Sequence, residues 1–137
     1  MTARILVVDD EPALRRTLER ALRNLKYEVV AVGDPHLVYS ILERSDYDLV
    51  LLDLHLPQMS GGALFLALVH RWPRLLERVI FMTGDPWGQS DWPAQARRCP
   101  LLSKPFTLDT LAQTVAKTLA AARAGGGSDQ VAGNGGG

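Results

Sequence analysis

Cysteine is almost absent from this chain, since Cys99 is the single one among 137 residues. An internal disulfide is therefore excluded, and no group of cysteines and histidines has the spacing of a zinc site. Basic and acidic residues both number 15, so no net charge is present to hold nucleic acid or an anionic membrane. No apolar run reaches the roughly 18 residues of a membrane span, and the N-terminus lacks a signal peptide's apolar length. We expect a cytoplasmic protein that neither enters a membrane nor binds nucleic acid.

Segments typical of strands and helices alternate along the chain. Short apolar or β-branched runs predict five strands, at residues 4–8, 27–32, 48–52, 78–82 and 101–102. The strand–helix alternation with short connections predicts an α/β fold with a doubly wound, five-stranded parallel sheet in the order 2-1-3-4-5. The helix before the fifth strand should be short or irregular, because residues 85–99 contain Pro86, Gly88 and Pro93.

Apolar residues at helical spacing predict which helix faces are buried. The predicted faces are Leu14, Leu18, Leu22 and Leu25 in the first helix, Leu37, Val38, Ile41 and Leu42 in the second, Leu64, Phe65 and Leu68 in the third, and Leu108, Leu111, Val115 and Leu119 in the last. Thr107 can cap the last helix. We therefore expect one domain over residues 1–124, followed by a flexible glycine-rich tail over residues 125–137.

Three acidic residues follow buried strands. Asp9 and Asp10 come directly after the first apolar strand, and Asp53 comes directly after the third. Strands one and three are neighbours at the point where the predicted strand order reverses, and binding sites of such sheets form there. Clustered carboxylates repel one another unless a cation joins them, and their oxygens suit a divalent ion such as Mg²⁺. Asp9 and Asp10 could also cap the first helix, and the two roles can coexist.

Two further polar residues, Thr83 and Lys104, follow the fourth and fifth predicted strands. A carboxylate nucleophile, a hydroxyl, an ammonium and a metal-binding pair together suit phosphoryl transfer. In this interpretation Asp53 attacks phosphorus, Thr83 donates to a phosphoryl oxygen and Lys104 supplies a mobile positive charge. His55 lies two residues beyond Asp53, where we expect it to tune the site.

Four motifs together resemble the receiver domain of the two-component response regulator family. They are ILVVDDEP with the acidic pair, LLDLHLPQMSGG with Asp53, VIFMTG with Thr83 and LLSKPF with Lys104, and the resemblance covers about residues 3–122. The segment VIFMTGD and the irregular stretch after it most resemble the corresponding segment in receivers of hybrid sensor histidine kinases or in single-domain regulators. Leu101 stands where the family often has an aromatic switch residue, which argues against coupling by rotation of such a ring.

The resemblance implies a function in a two-component phosphorelay. Asp53 would take a phosphoryl group from a histidine kinase or a phosphotransfer histidine, and a changed protein-binding surface would then act on an unknown downstream protein. Mg²⁺ would be held by Asp10 directly, by Asp9 through water, by Asp53 and by the backbone carbonyl of His55. The family also implies a cis peptide bond before Pro105, no turnover of a substrate as an enzyme, and a weak homodimer as a further expectation.

Other interpretations stay open at this stage. The chain could be a stand-alone regulator or a domain of a longer hybrid kinase. It could also be a phosphorylation-independent interaction module of the same fold. A Mg²⁺-dependent phosphohydrolase is a third class, although such enzymes generally carry a second acid where this chain has His55.

Overall fold

The computed structural model describes residues 2–85 and 93–135, with side chains as far as Gly125. The strands are β1 (Arg4–Val8), β2 (Glu28–Val32), β3 (Leu49–Asp53), β4 (Val79–Thr83) and β5 (Leu101–Ser103). The helices are α1 (Pro12–Asn24), α2 (Val38–Arg44), α3 (Gly61–Arg71) and α4 (Leu108–Gly135), with 3₁₀ turns at Pro35–Leu37, Pro73–Glu77 and Ala96–Arg98.

All neighbouring strands of the sheet are parallel, in the predicted order β2-β1-β3-β4-β5. Every residue of β3 and β4 is buried, because helices cover both faces of the sheet. This double covering explains why these strands are continuous apolar runs rather than alternating ones. Both strands end one residue later than predicted, so that Asp53 and Thr83 are themselves the last residues of their strands.

The sheet separates two apolar cores, which alternate residues of each strand supply. On one face, Leu52 and Phe81 lie in a cluster with residues of α2 and α3, and the ring centroids of Phe65 and Phe81 are 5.2 Å apart. On the other face, Leu51 and Ile80 lie in a cluster with residues of α1 and α4. The predicted helix faces supply most of these contacts, namely Leu18, Leu22, Val38, Leu42, Leu64, Phe65, Leu68, Leu111, Val115 and Leu119.

Three leucines assigned to buried helix faces are instead exposed. Leu25 is 44% exposed because α1 already ends at Asn24 and the chain then turns through Lys26 at a φ of 73°. Leu37 is 48% exposed because it belongs to the 3₁₀ turn that precedes α2. Leu108 is 56% exposed as the first residue of α4, where the predicted cap is observed: the Thr107 hydroxyl accepts from the Thr110 amide at 3.0 Å. Periodicity alone was therefore misleading at helix ends.

The connection between β4 and β5 contains no regular α-helix among its described residues, 84–85 and 93–100, in agreement with the prediction of a short or irregular helix. Its one helical feature there is the 3₁₀ turn at Ala96–Arg98. Trp87 and Trp92 also belong to this connection and lie outside the described residues. Over residues 2–85 and 93–135, no helix is long and apolar enough to cross a membrane.

The last helix continues to Gly135, beyond the point at which we expect a tail to begin. Glycine recurs over residues 125–135, and each glycine inside a helix costs roughly 1 kcal/mol relative to alanine. The glycine-rich composition of residues 125–135 therefore disfavours a helix, whereas the backbone of these residues is helical. The domain limit at residue 124 and the flexibility of residues 125–137 stay predictions.

Candidate functional site

The strand register brings the acidic residues together. Val8 of β1 is paired with Leu52 of β3, so the next residue of each strand, Asp9 and Asp53, reaches the same edge of the sheet. Asp10 lies directly beyond Asp9. One carboxylate oxygen from each of the three residues lies within 4.8 Å of the other two. The prediction that these acids meet at the reversal point of the strand order is confirmed.

The three acids differ in burial. Asp9 is fully buried and Asp53 is 4% exposed, whereas Asp10 is exposed. The Asp9 carboxylate accepts a hydrogen bond of 2.8 Å from the amide of Glu11, immediately before α1. Glu11 is itself the N-cap residue of α1, and no side-chain cap bond is present there, so this contact forms a turn before the helix and the cap considered for Asp9 is not observed. The exposed Asp10 leaves one side of the cluster open to solvent.

Lys104 brings a positive charge to the two buried carboxylates. It follows β5, and its amide donates to the Thr83 carbonyl at 2.7 Å. Its Nζ lies 2.9 Å from Asp53 Oδ2 and 3.1 Å from Asp9 Oδ2. The peptide bond between Lys104 and Pro105 is cis, as expected. One ammonium thus bridges two carboxylates from different strands.

The electrostatics of the cluster favour an additional cation. Burial raises the pKa of the Asp9 carboxyl, although the Glu11 amide and the Lys104 ammonium oppose this effect. Burial also acts to lower the pKa of Lys104, but the hydrogen bonds and charges of Asp53 and Asp9 outweigh it and raise that pKa. A single ammonium is shared by two carboxylates, and Asp10 adds a third negative charge beside them. The donor set, all oxygen and in excess negative charge, fits a hard divalent cation.

Thr83 and His55 form the remaining side of the site. Thr83 is fully buried, and its hydroxyl accepts from the Asp85 amide at 3.0 Å. The Nε2 atom of His55 lies 3.1 Å from the same hydroxyl oxygen. The His55 amide donates to Asp53 Oδ1 at 2.9 Å, so this residue contacts both the acid and the threonine. The contact between His55 and Thr83 was not predicted, because sequence spacing does not show which way the ring points.

The connection between β3 and α3 forms the open wall of the site. Residues 54–60 and Asp10 line a shallow depression of about 420 Å³. The Gly61 amide donates to the Leu54 carbonyl at 2.9 Å, and the Ser60 hydroxyl caps α3 by accepting from the Ala63 amide at 3.0 Å. The bond between Gly61 and Leu54 keeps this connection close to the end of β3, so that a space remains beside the carboxylates of the site.

The remaining histidines, Cys99, Trp72 and Leu101 lie outside this cluster. His36 and His70 are exposed, and Cys99 is half-buried. Trp72 ends α3 and packs on Tyr39, with 5.2 Å between ring centroids. Leu101 is half-buried against the core on the α2–α3 face of the sheet, so an aliphatic side chain occupies the expected switch position.

Comparisons with known proteins agree with this geometry. The chain is 34% identical over 118 residues to the sensor histidine kinase RcsC of Salmonella typhimurium, covering 82% of this chain and 12% of RcsC. It is 33% identical over 125 residues to the response regulator receiver protein CpdR of Brucella abortus, covering 87% of this chain and 98% of CpdR. The relatives thus include a sensor histidine kinase, of which the chain spans a small part, and a response regulator receiver protein, of which it spans almost the whole length.

A solved structure shares both the fold and part of the sequence. The crystal structure of the response regulator protein TrrA from Thermotoga maritima, in complex with Mg²⁺-BeF, superposes with a TM-score of 0.74 at 28% identity. The match covers 85% of this chain and 99% of TrrA. The family model of the response regulator receiver domain matches residues 5–116, which hold all the acids of the site, Thr83 and Lys104. The chain therefore belongs to the response regulator receiver domain family, whose members are signalling modules rather than turnover enzymes.

Proposed function

We propose that Asp53 accepts a phosphoryl group from the phosphohistidine of a histidine kinase or a phosphotransfer protein. The observation that carries this proposal is the Lys104 ammonium, which lies 2.9 Å from Asp53 and 3.1 Å from Asp9. A carboxylate nucleophile needs a neighbouring positive charge if an anionic phosphoryl group is to approach it. Membership of the receiver family, and a histidine kinase among the relatives, support the class of donor.

The transfer uses the chain's own residues as follows. An oxygen of Asp53 attacks phosphorus, and the phosphorus–nitrogen bond to the donor imidazole breaks as the new phosphorus–oxygen bond forms. The imidazole leaves with the electron pair of the broken bond and is protonated from solvent. Lys104 neutralises part of the charge on the phosphoryl oxygens, and the hydroxyl of Thr83 donates a hydrogen bond to one of them.

We assign Mg²⁺ to the acidic cluster, with Asp10 and Asp53 as direct ligands, Asp9 acting through water and the His55 backbone carbonyl as a further ligand. The close carboxylate oxygens of the cluster and the Mg²⁺ in the TrrA complex support this assignment. When bound, the ion supplies positive charge to the phosphoryl oxygens. The exposed Asp10 provides an entry side for it.

Phosphorylation would then act on a partner protein. A phosphoryl group on Asp53 competes for Lys104 and Thr83, which lie at the ends of β5 and β4, and so shifts the surface near these strands between two states. The downstream protein, a weak homodimer and a cytoplasmic location remain parts of the proposal. The half-buried Leu101 means that any such shift proceeds without rotation of an aromatic ring at that position.

Incubation with labelled acetyl phosphate and Mg²⁺ tests the proposal. We expect one phosphoryl group on the wild-type protein and on Asp46→Asn, a matched control at an exposed aspartate outside the site. We expect none on Asp53→Asn and none when a chelator removes Mg²⁺. Equal labelling of Asp53→Asn would contradict the proposal. Absence of label on every variant would favour a phosphorylation-independent interaction module.

A further inference from the structure

The hydroxyl of Thr83 is already engaged within the protein. It accepts one hydrogen bond from the Asp85 amide at 3.0 Å, and it lies 3.1 Å from Nε2 of His55. A hydroxyl has one proton to donate and two lone pairs that accept. Because the Asp85 amide takes one lone pair, the hydroxyl keeps its proton and one lone pair for the contact with His55.

The position of the His55 ring is set by its backbone. The His55 amide is bonded to Asp53 Oδ1, and residues 55 and 60 form an antiparallel bridge. The Gly61 amide closes the loop onto the Leu54 carbonyl. These contacts hold residue 55 against the end of β3, next to the strand that carries Thr83. The ring therefore reaches Thr83 from a fixed base rather than from a free loop.

We propose that His55 is a positioning residue that restrains the Thr83 hydroxyl, in an inference that rests on the function proposed for Asp53. In the proposed arrangement Nε2 accepts the hydroxyl proton, and the ring carries its own proton on Nδ1. In this arrangement Thr83 cannot donate to a phosphoryl oxygen until it leaves His55. Each phosphorylation event must therefore exchange the bond between Thr83 and His55 for one between Thr83 and the phosphoryl group.

The size of the restraint follows from the kind of hydrogen bond on each side. The bond between His55 and Thr83 lies at a partly exposed site and involves no phosphoryl oxygen, and such a bond contributes modestly to stability. A bond from the hydroxyl to an anionic phosphoryl oxygen is shorter and stronger. The Thr83 hydroxyl therefore leaves His55 when a phosphoryl group is present. The bond to His55 reduces the free energy gained in this exchange but does not prevent it.

Beryllofluoride with Mg²⁺ is the probe for this restraint, because it occupies the acceptor site without a covalent transfer. We expect His55→Leu, which cannot accept a hydrogen bond, to bind beryllofluoride about 3- to 10-fold more tightly than wild type, measured by calorimetry on the full chain. His55→Gln, whose amide oxygen can accept the same proton, should bind like wild type. In a Thr83→Val background, His55→Leu should have no effect on affinity.

The double-mutant comparison separates this inference from simpler roles of His55. Equal tightening by His55→Leu with and without the Thr83 hydroxyl would overturn it, since His55 would then act directly on the ligand. Unchanged affinity in His55→Leu would overturn it as well. A wild-type protein that binds no beryllofluoride and takes no phosphate from acetyl phosphate would instead contradict the proposed function itself.

A spectroscopic measurement in the absence of ligand gives an independent result. The ¹⁵N shift of His55 Nε2 should report an accepting nitrogen in the wild-type protein and should change in Thr83→Val. An amide spectrum of each variant establishes that the fold is retained. An Nε2 shift that is identical in the two proteins would show that the ring and the hydroxyl are not bonded, and would overturn the inference.

Discussion

Lys104 and Asp53 are 51 residues apart in the chain, yet the ammonium of one lies 2.9 Å from a carboxylate oxygen of the other. The same ammonium also reaches Asp9 at 3.1 Å. Because β1, β3 and β5 all end at one edge of the sheet, residues from three distant segments meet there. The pair neutralises part of the charge of the cluster before any phosphoryl group arrives.

Removal of this ammonium should destabilise the protein when metal is absent. Lys104→Met leaves the two carboxylates of Asp9 and Asp53 facing each other in a buried site, and the side chain of Lys104 itself is only 20% exposed. Removal of one partner from a fully buried ion pair lowers the free energy of unfolding by several kcal/mol. For the partly exposed Lys104 we expect a loss of about 2 kcal/mol. Urea unfolding in the presence of a chelator measures this cost.

Addition of Mg²⁺ should restore part of the free energy of unfolding that Lys104→Met loses, because the ion brings positive charge to the same carboxylates. Lys117→Met is the matched control, since Lys117 lies on the exposed side of α4. Its free energy of unfolding should stay within about 0.5 kcal/mol of wild type. Wild-type stability of Lys104→Met in the chelator would show that the ammonium is not needed to balance the acids.

Substitution of Gly61 should damage the wall of the site. A methyl group at this position would collide with the Asp53 carbonyl and lie 2.7 Å from Leu54 Cα, both of which are backbone atoms. Gly61→Ala should therefore lower the free energy of unfolding by about 1–3 kcal/mol. Gly84→Ala, where the methyl would meet no atom within 4 Å, is the control for stability. Equal unfolding midpoints for the two variants would contradict the close approach of α3 to β3.

Cys99 should be slow to react with alkylating reagents. Burial raises the pKa of its thiol from 9.0 to about 11, with the charge of Arg98 opposing the shift. The thiolate is the reactive form, so at pH 8 the rate should be about 100-fold lower than for the unfolded chain in urea. The rate should then rise with pH until it levels off above the pKa. Equal rates for folded and unfolded protein at pH 8 would contradict the burial of this thiol.

Deletion of residues 126–137 should leave the domain intact. We expect the melting temperature and the phosphorylation by acetyl phosphate to match those of the full chain, because glycine-rich sequence adds little to a packed core. Calorimetry measures the first quantity and incorporation of label the second. A melting temperature lowered by more than about 4 °C, which corresponds to about 1 kcal/mol, would show that the tail contributes to folding.

Much of the site could be predicted because polar residues interrupt apolar strands at their ends. Asp9 and Asp53 follow buried runs, and the parallel topology then brings them to one edge of the sheet. The helix ends were harder to predict, as the exposed Leu25 and Leu37 show, since apolar periodicity does not mark where a helix stops. The contact between His55 and Thr83 depends on a side-chain direction, which only the folded loop determines.

The most direct test of the central claim is to locate the phosphoryl group on the chain. An aspartyl phosphate formed from acetyl phosphate and Mg²⁺ can be reduced with borohydride, which converts the modified aspartate to homoserine. Peptide mass spectrometry then identifies the reduced residue. The proposed function predicts homoserine at position 53 in the phosphorylated protein and at no aspartate in a sample without acetyl phosphate. Homoserine at another aspartate, with Asp53 unmodified, would contradict it.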